Sequence, residues 1–206
     1  MNVFVLTTGR TGSLSFERAC SHIENYTAAH ESRCQLLGDE RLNFADNHIE
    51  IDNRLSWFLG RLGEKYGDNA IYIHLLRDEK KVAASYKKRW NRETSIVRAY
   101  AYGILKNQEH HIDDPYNICL DYAENVNTNI RDFLKDKSKT MTFHLENLDK
   151  DFKKFWELID AKGNYEAALE DFKSTHNYTG SDSSDYSLIN KTLRVIKKLP
   201  SFIRNA

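Results

Sequence analysis

The chain has 206 residues, enough for one substantial core, and its 30 basic residues are matched by 30 acidic ones. That balance gives no electrostatic case for nucleic acid or a membrane surface as the main partner, and no apolar run approaches the length that spans a bilayer. Three cysteines, Cys20, Cys34 and Cys119, without a CxxC spacing argue against a zinc site and a disulfide framework and make a reducing, cytoplasmic compartment the expected home.

In chain order, Val3-Phe4-Val5-Leu6 reads as a strand buried on both faces, as in parallel sheets. With a strand starting at Val3, no leader peptide or anchor is expected ahead of it. The glycine-punctuated turn Thr7-Thr8-Gly9-Arg10-Thr11-Gly12-Ser13 comes next, and apolar residues from Leu14 to Ile23 then recur at helical spacing, with Ser13 or Ser15 as the capping side chain. A strand, a tight loop and a helix start form an anion cradle, because unpaired amides and the positive end of the helix dipole face the loop. Arg10 adds a full charge. No Gly-Lys-Ser/Thr triplet closes the loop, so it lacks the pattern of an ordinary ATP-binding P-loop. The bland alternative is a glycine turn joining a core strand to a helix.

Tyr26 to Arg33 reads as a second short strand that ends in the polar cluster His30-Glu31-Ser32-Arg33, and the rim at strand ends is where open parallel sheets bind ligands. Glu31 is expected next to the loop strand, on the same rim as Arg10, with a surface acid paired to Arg33 as the alternative. Gln35 to Asn47 is a polar loop. His48-Ile49-Glu50-Ile51-Asp52 alternates like a half-exposed strand, and helical spacing continues from Asn53 to Leu62. His48, Glu50 and Asp52 are second-choice bases beside Glu31 and His30.

The stretch Ile71-Tyr72-Ile73-His74-Leu75-Leu76 is another apolar strand, and it runs into Arg77-Asp78-Glu79 and a helix that carries Val82, Ala83 and Ser85. Arg77 offers a planar fork of donors suited to phosphate oxygens, and Ser85 adds a hydroxyl. The two stretches together resemble the sulfotransferases that use 3'-phosphoadenosine 5'-phosphosulfate (PAPS) as donor. Thr8 to Ser13 is similar to their 5'-phosphosulfate loop, and Arg77 with Ser85 to their 3'-phosphate motif. Arg10 stands where cytosolic members usually carry Lys, which places the likeness nearer the Golgi and bacterial branches. Glu79 replaces the proline that often succeeds the Arg-Asp pair and puts an acid near the phosphate.

The resemblance implies a single α/β domain over 1–206 of the P-loop type, with a parallel sheet of four or five strands between helical layers. It implies transfer of a sulfuryl group from PAPS to a hydroxyl or amine acceptor, such as a carbohydrate, with PAP released and no metal required. Arg10, Thr11, Gly12, Ser13, Ser15, Arg77 and Ser85 would hold the donor. Glu31, at the point where tyrosylprotein and some bacterial members carry a glutamate, would be the base, and Arg10 would stabilise the leaving phosphate. A small-molecule kinase and a non-catalytic nucleotide-binding module are the rival readings.

From Val97 onward the chain reads as helices up to a last strand at Thr140 to Leu145, and an amphipathic helix runs from Phe152 to Leu158. His110 and His111 are adjacent and so point apart on a helix, which disfavours a shared metal. The sequons at Asn25, Asn177 and Asn190 are read as chance matches. From about His176 a polar run leads to a basic helix, Ile189 to Lys198, that is either a solvated face or a lid over the nucleotide.

Overall fold

The computed structural model describes residues 1–92, 94–107 and 112–176. The pair His110-His111, the sequons at Asn177 and Asn190 and the basic stretch 189–198 lie outside those residues. Five parallel strands, β1 (Asn2–Leu6), β2 (Thr27–His30), β3 (His48–Ile51), β4 (Ala70–Leu76) and β5 (Thr140–His144), form one sheet in the order β2-β3-β1-β4-β5. The helices are α1 (Ser13–Cys20), α2 (Leu59–Tyr66), α3 (Glu79–Lys87), α4 (Ile96–Ala99), α5 (Tyr116–Leu134), α6 (Leu148–Leu158) and α7 (Tyr165–His176). This is a three-layer α/β fold with a central parallel sheet, as the sequence implies.

β1 is buried along its whole length, and the two-residue period of a strand sends its side chains into two separate cores. Val3 and Val5 pack with Phe16 and Ala19 of α1, Phe152 and Phe155 of α6 and Phe172 of α7. Phe4 and Leu6 pack on the other face with Leu62, Val82, Tyr122 and Val126, from α2, α3 and α5. β1 pairs with β3 on one side and β4 on the other, so the loop at its end emerges at the middle of the sheet's carboxyl edge. The strand order reverses there, which is where such sheets open a crevice.

Three local expectations are corrected. β2 is an edge strand and β3 separates it from β1, so Glu31 does not come after the strand next to the loop strand. β3 is a buried strand rather than a half-exposed one: the Glu50 carboxylate accepts from the Ser32 amide at 2.7 Å and the Ser32 hydroxyl at 2.6 Å, and lies 3.0 Å from His48 Nε2. The continuous helix expected from Asn53 to Leu62 divides into a 3₁₀ turn at Asn53–Trp57 and α2, because Asp52 accepts from the Arg54 amide at 2.7 Å and starts the turn tightly.

Candidate functional site

The loop after β1 turns back on itself through two left-handed glycines, Gly9 at φ 78° and Gly12 at φ 84°, with Arg10 between them at φ 62°. Gly12 caps α1 with its backbone alone, and neither Ser13 nor Ser15 serves as the side-chain cap. The first intrahelical bond runs from the Phe16 amide to the Gly12 carbonyl at 2.9 Å, so the amides of Ser13, Leu14 and Ser15 precede it at the positive end of the helix. Thr11 is buried, and its hydroxyl meets that of Thr7 at 2.5 Å, bracing the turn from inside. Ser15 is buried as well, whereas the Ser13 hydroxyl faces a cleft and lies 3.0 Å from His30 Nε2.

The two halves of the sequence signature meet. Arg10 Nε donates to Ser85 Oγ at 3.0 Å across a separation of 75 residues, and Arg77 Nη1 donates to the Arg10 carbonyl at 3.0 Å. Because Ser85 accepts from Arg10, its own O–H is left to donate. From above, Tyr86 of α3 and Tyr122 of α5 both donate to the Thr8 carbonyl, at 2.7 and 3.1 Å. A Cβ on Gly9 would stand 2.4 Å from the Tyr86 oxygen, so only glycine allows the loop to lie this close under α3.

Charge converges on the same place. The Arg10 guanidinium is pulled down to about 10, first by burial and then by the cations Arg89, Arg92 and Arg77 around it. A buried guanidinium lowered by the cations around it is relieved by an anion, and such crowding marks binding sites. The cleft has a volume of about 210 Å³ and is lined by Gly9, Arg10, Ser13, His30, Glu31 and Arg54 among others. Glu79 is not part of it, because its carboxylate accepts from Asn127 Nδ2 at 2.8 Å, toward α5.

Glu31 reaches the cleft in spite of the intervening strand. Its amide donates to the Ile51 carbonyl at 3.1 Å, a last sheet bond that turns its side chain over the end of β3. There it pairs with Arg54 at 2.6 Å; Arg33 instead donates to the Glu40 carbonyl, also at 2.6 Å. His30 reaches the cleft through Ser13. The other second-choice bases do not: Glu50 and its partner His48 are engaged on β3, and Asp52 is fully buried against Arg41. Burial pushes the Asp52 carboxyl up, while Arg41 and the Arg54 amide pull it back.

Asn53, Arg54, Tyr86 and Tyr122 do not stand out in the sequence, yet they shape the site. For Arg54 a signal existed, since Asp52-Asn53-Arg54 comes directly after β3 at the carboxyl edge where ligands bind. The tyrosines carry none, because their partner is a backbone carbonyl far away in sequence.

No family model matches the chain and neither does any curated protein sequence. Among solved structures it is similar to a sulfotransferase from Alicyclobacillus acidocaldarius, with 13% identity and a TM-score of 0.52 over 78% of this chain and 81% of that one. The likeness is one of fold. No helix among the described residues is long and apolar enough to cross a membrane.

Proposed function

We propose that the chain is a PAPS-dependent sulfotransferase that moves the sulfuryl group to a hydroxyl or amine acceptor and releases PAP. The observation that carries this reading is the bond from Arg10 to Ser85, which ties the glycine loop directly to the Arg77-Ser85 motif. The sulfotransferase fold of the structural neighbour supports it.

The residues fit the donor. Its 5'-phosphosulfate would lie against Arg10, the Ser13 hydroxyl and the amides at the start of α1, with Gly9 and Gly12 keeping the approach open. Arg77 and Ser85 would hold the 3'-phosphate. Thr11 and Ser15 would contribute backbone groups and support, since their side chains are buried. When bound, PAPS would supply an activated sulfuryl group whose leaving phosphate gathers charge, and Arg10 would stabilise that charge. Glu31 would take the proton from the acceptor, with Arg54 holding its carboxylate in place.

The test is thermal unfolding of the full chain with PAP, ADP and ATP. Ligand at about a hundred times its dissociation constant adds about 2.7 kcal/mol, so a bound nucleotide is visible. PAP should stabilise more than ADP, and Arg77→Ala should remove most of that preference. Equal stabilisation by ADP, or a preference that survives Arg77→Ala, would end the 3'-phosphate assignment. Turnover that EDTA abolishes and Mg²⁺ restores would favour the kinase.

A further inference from the structure

Glu50 of β3 is a fully buried carboxylate with no part in the donor cradle or the cleft. A buried charge is costly unless it is paired and hydrogen-bonded, and an apolar side chain of similar volume often serves a core as well. What sets Glu50 apart is where its bonds go. Oε1 accepts from the Ser32 amide at 2.7 Å and Oε2 from the Ser32 hydroxyl at 2.6 Å, so both oxygens grip the residue that directly follows Glu31.

The grip is itself braced. Oε2 also lies 3.0 Å from His48 Nε2, while His48 Nδ1 is 2.8 Å from the Thr27 hydroxyl on β2 and the imidazole stacks on Phe44. The Glu31 amide, for its part, donates to the carbonyl of Ile51, the residue after Glu50, at 3.1 Å. Two successive amides, those of Glu31 and Ser32, are therefore anchored on two successive residues of β3, and Glu31 is held between them at φ 50°. A residue in that region returns to the ordinary one unless its surroundings over-determine it.

We propose that Glu50 is a positioning residue for the base: by holding the Ser32 amide and hydroxyl it keeps Glu31 in the left-handed conformation from which its carboxylate meets Arg54 and faces the cleft. The inference rests on the sulfotransferase reading with Glu31 as the base. Glu50 touches neither donor nor acceptor and acts through Ser32. A carboxylate suits the task because it accepts from an amide and a hydroxyl at once, and charge-assisted bonds are the stronger ones. The grip matters to rate because a reacting group displaced by about 1 Å can cost about a hundredfold.

Glu50→Leu fills the same space and drops the grip, Glu50→Gln keeps an oxygen for the Ser32 amide, and Ser32→Ala removes the hydroxyl bond alone. Amide hydrogen exchange on the full chain reads the turn without any acceptor: in Glu50→Leu the Glu31 amide should exchange at least tenfold faster while the amides of β4 keep their wild-type rates. Glu50→Gln and Ser32→Ala should fall between. With radiolabelled PAPS and p-nitrophenol as the acceptor hydroxyl, Glu50→Leu should lower kcat at least tenfold, leave the KM for PAPS and stabilisation by PAP unchanged, and be partly rescued in Glu50→Gln. In a Glu31→Gln background Glu50→Leu should have no further effect on turnover, since there is no base left to position. Exchange at Glu31 that Glu50→Leu leaves unchanged would overturn the proposal whether or not p-nitrophenol is turned over. So would an equal loss of turnover in both backgrounds, which would make Glu50 a support of the fold alone. Those two results leave the donor reading intact; failure of PAP to stabilise the wild-type chain would instead remove the sulfotransferase reading, and the role of Glu50 in it.

Discussion

Glu31 and Arg10 both occupy the left-handed backbone region, at φ 50° and φ 62°, where side chains other than glycine's are uncommon. Holding such a residue costs on the order of 1 kcal/mol, and the cost is met at Glu31 by its bond to Ile51 and its ion pair with Arg54. The strain aims a carboxylate into the cleft that a regular strand end would have turned away. Glu31→Gln keeps the shape, the backbone bond and an oxygen for Arg54 but removes the basicity. It should therefore leave stabilisation by PAP nearly unchanged while lowering turnover by about a hundredfold to ten-thousandfold in a radiolabelled sulfate-transfer assay. A variant as active as the wild type would shift attention to His30, which also lines the cleft.

At the scale of elements, the loop conformation is owned by α3 and α5 as much as by β1. Tyr86 and Tyr122 meet edge to face, 5.6 Å between ring centres, over the one carbonyl they share. Either phenol alone satisfies the Thr8 carbonyl, so Tyr86→Phe and Tyr122→Phe should each cost about 1 kcal/mol in urea denaturation. Removing both should cost more than the sum, because the carbonyl is then buried bare; strict additivity would show that the two bonds are not alternatives. Cooperation of this kind is invisible in sequence. The strand, loop and helix at the start are legible because Val3 to Leu6 is an unbroken apolar run and Gly9 and Gly12 punctuate the turn between strand and helix. The position of β2 is not, since strand order is a matter of which edges meet and leaves no local mark. β3 misleads for another reason: alternation counts Glu50 as a surface residue, although Ser32 and His48 satisfy its carboxylate inside the protein. Glu31 is legible by its place at a strand end, and its partner Arg54 becomes so by the same rule applied to β3.

Across the whole molecule, one buried group ties the sheet to both α3 and α5. His74 of β4 lies 3.1 Å by its Nε2 from Asn127 Oδ1, and Asn127 donates on to Glu79. Burial holds the imidazole neutral and pushes its pKa down to about 4, with Arg131 and His144 adding to the effect and the Asn127 bond opposing it. In the unfolded chain the same group titrates near 6.5, so between those values the unfolded state binds the extra proton. Stability should therefore be complete above pH 6.5 and fall as the pH drops toward 4, by roughly 2 kcal/mol between pH 6.5 and 5. Urea midpoints for the wild type and His74→Gln over that window check it, since the variant should lose most of the slope. The long reach of the Thr8 carbonyl has a consequence for synthesis. Its bond to Tyr122 spans 114 residues, so a chain emerging from the ribosome displays the whole glycine loop long before the last of its braces arrives. Nucleotide would find no seat on the early nascent protein, and any help that it gives to maturation must come as a late clamp on chains that have already brought α5 home.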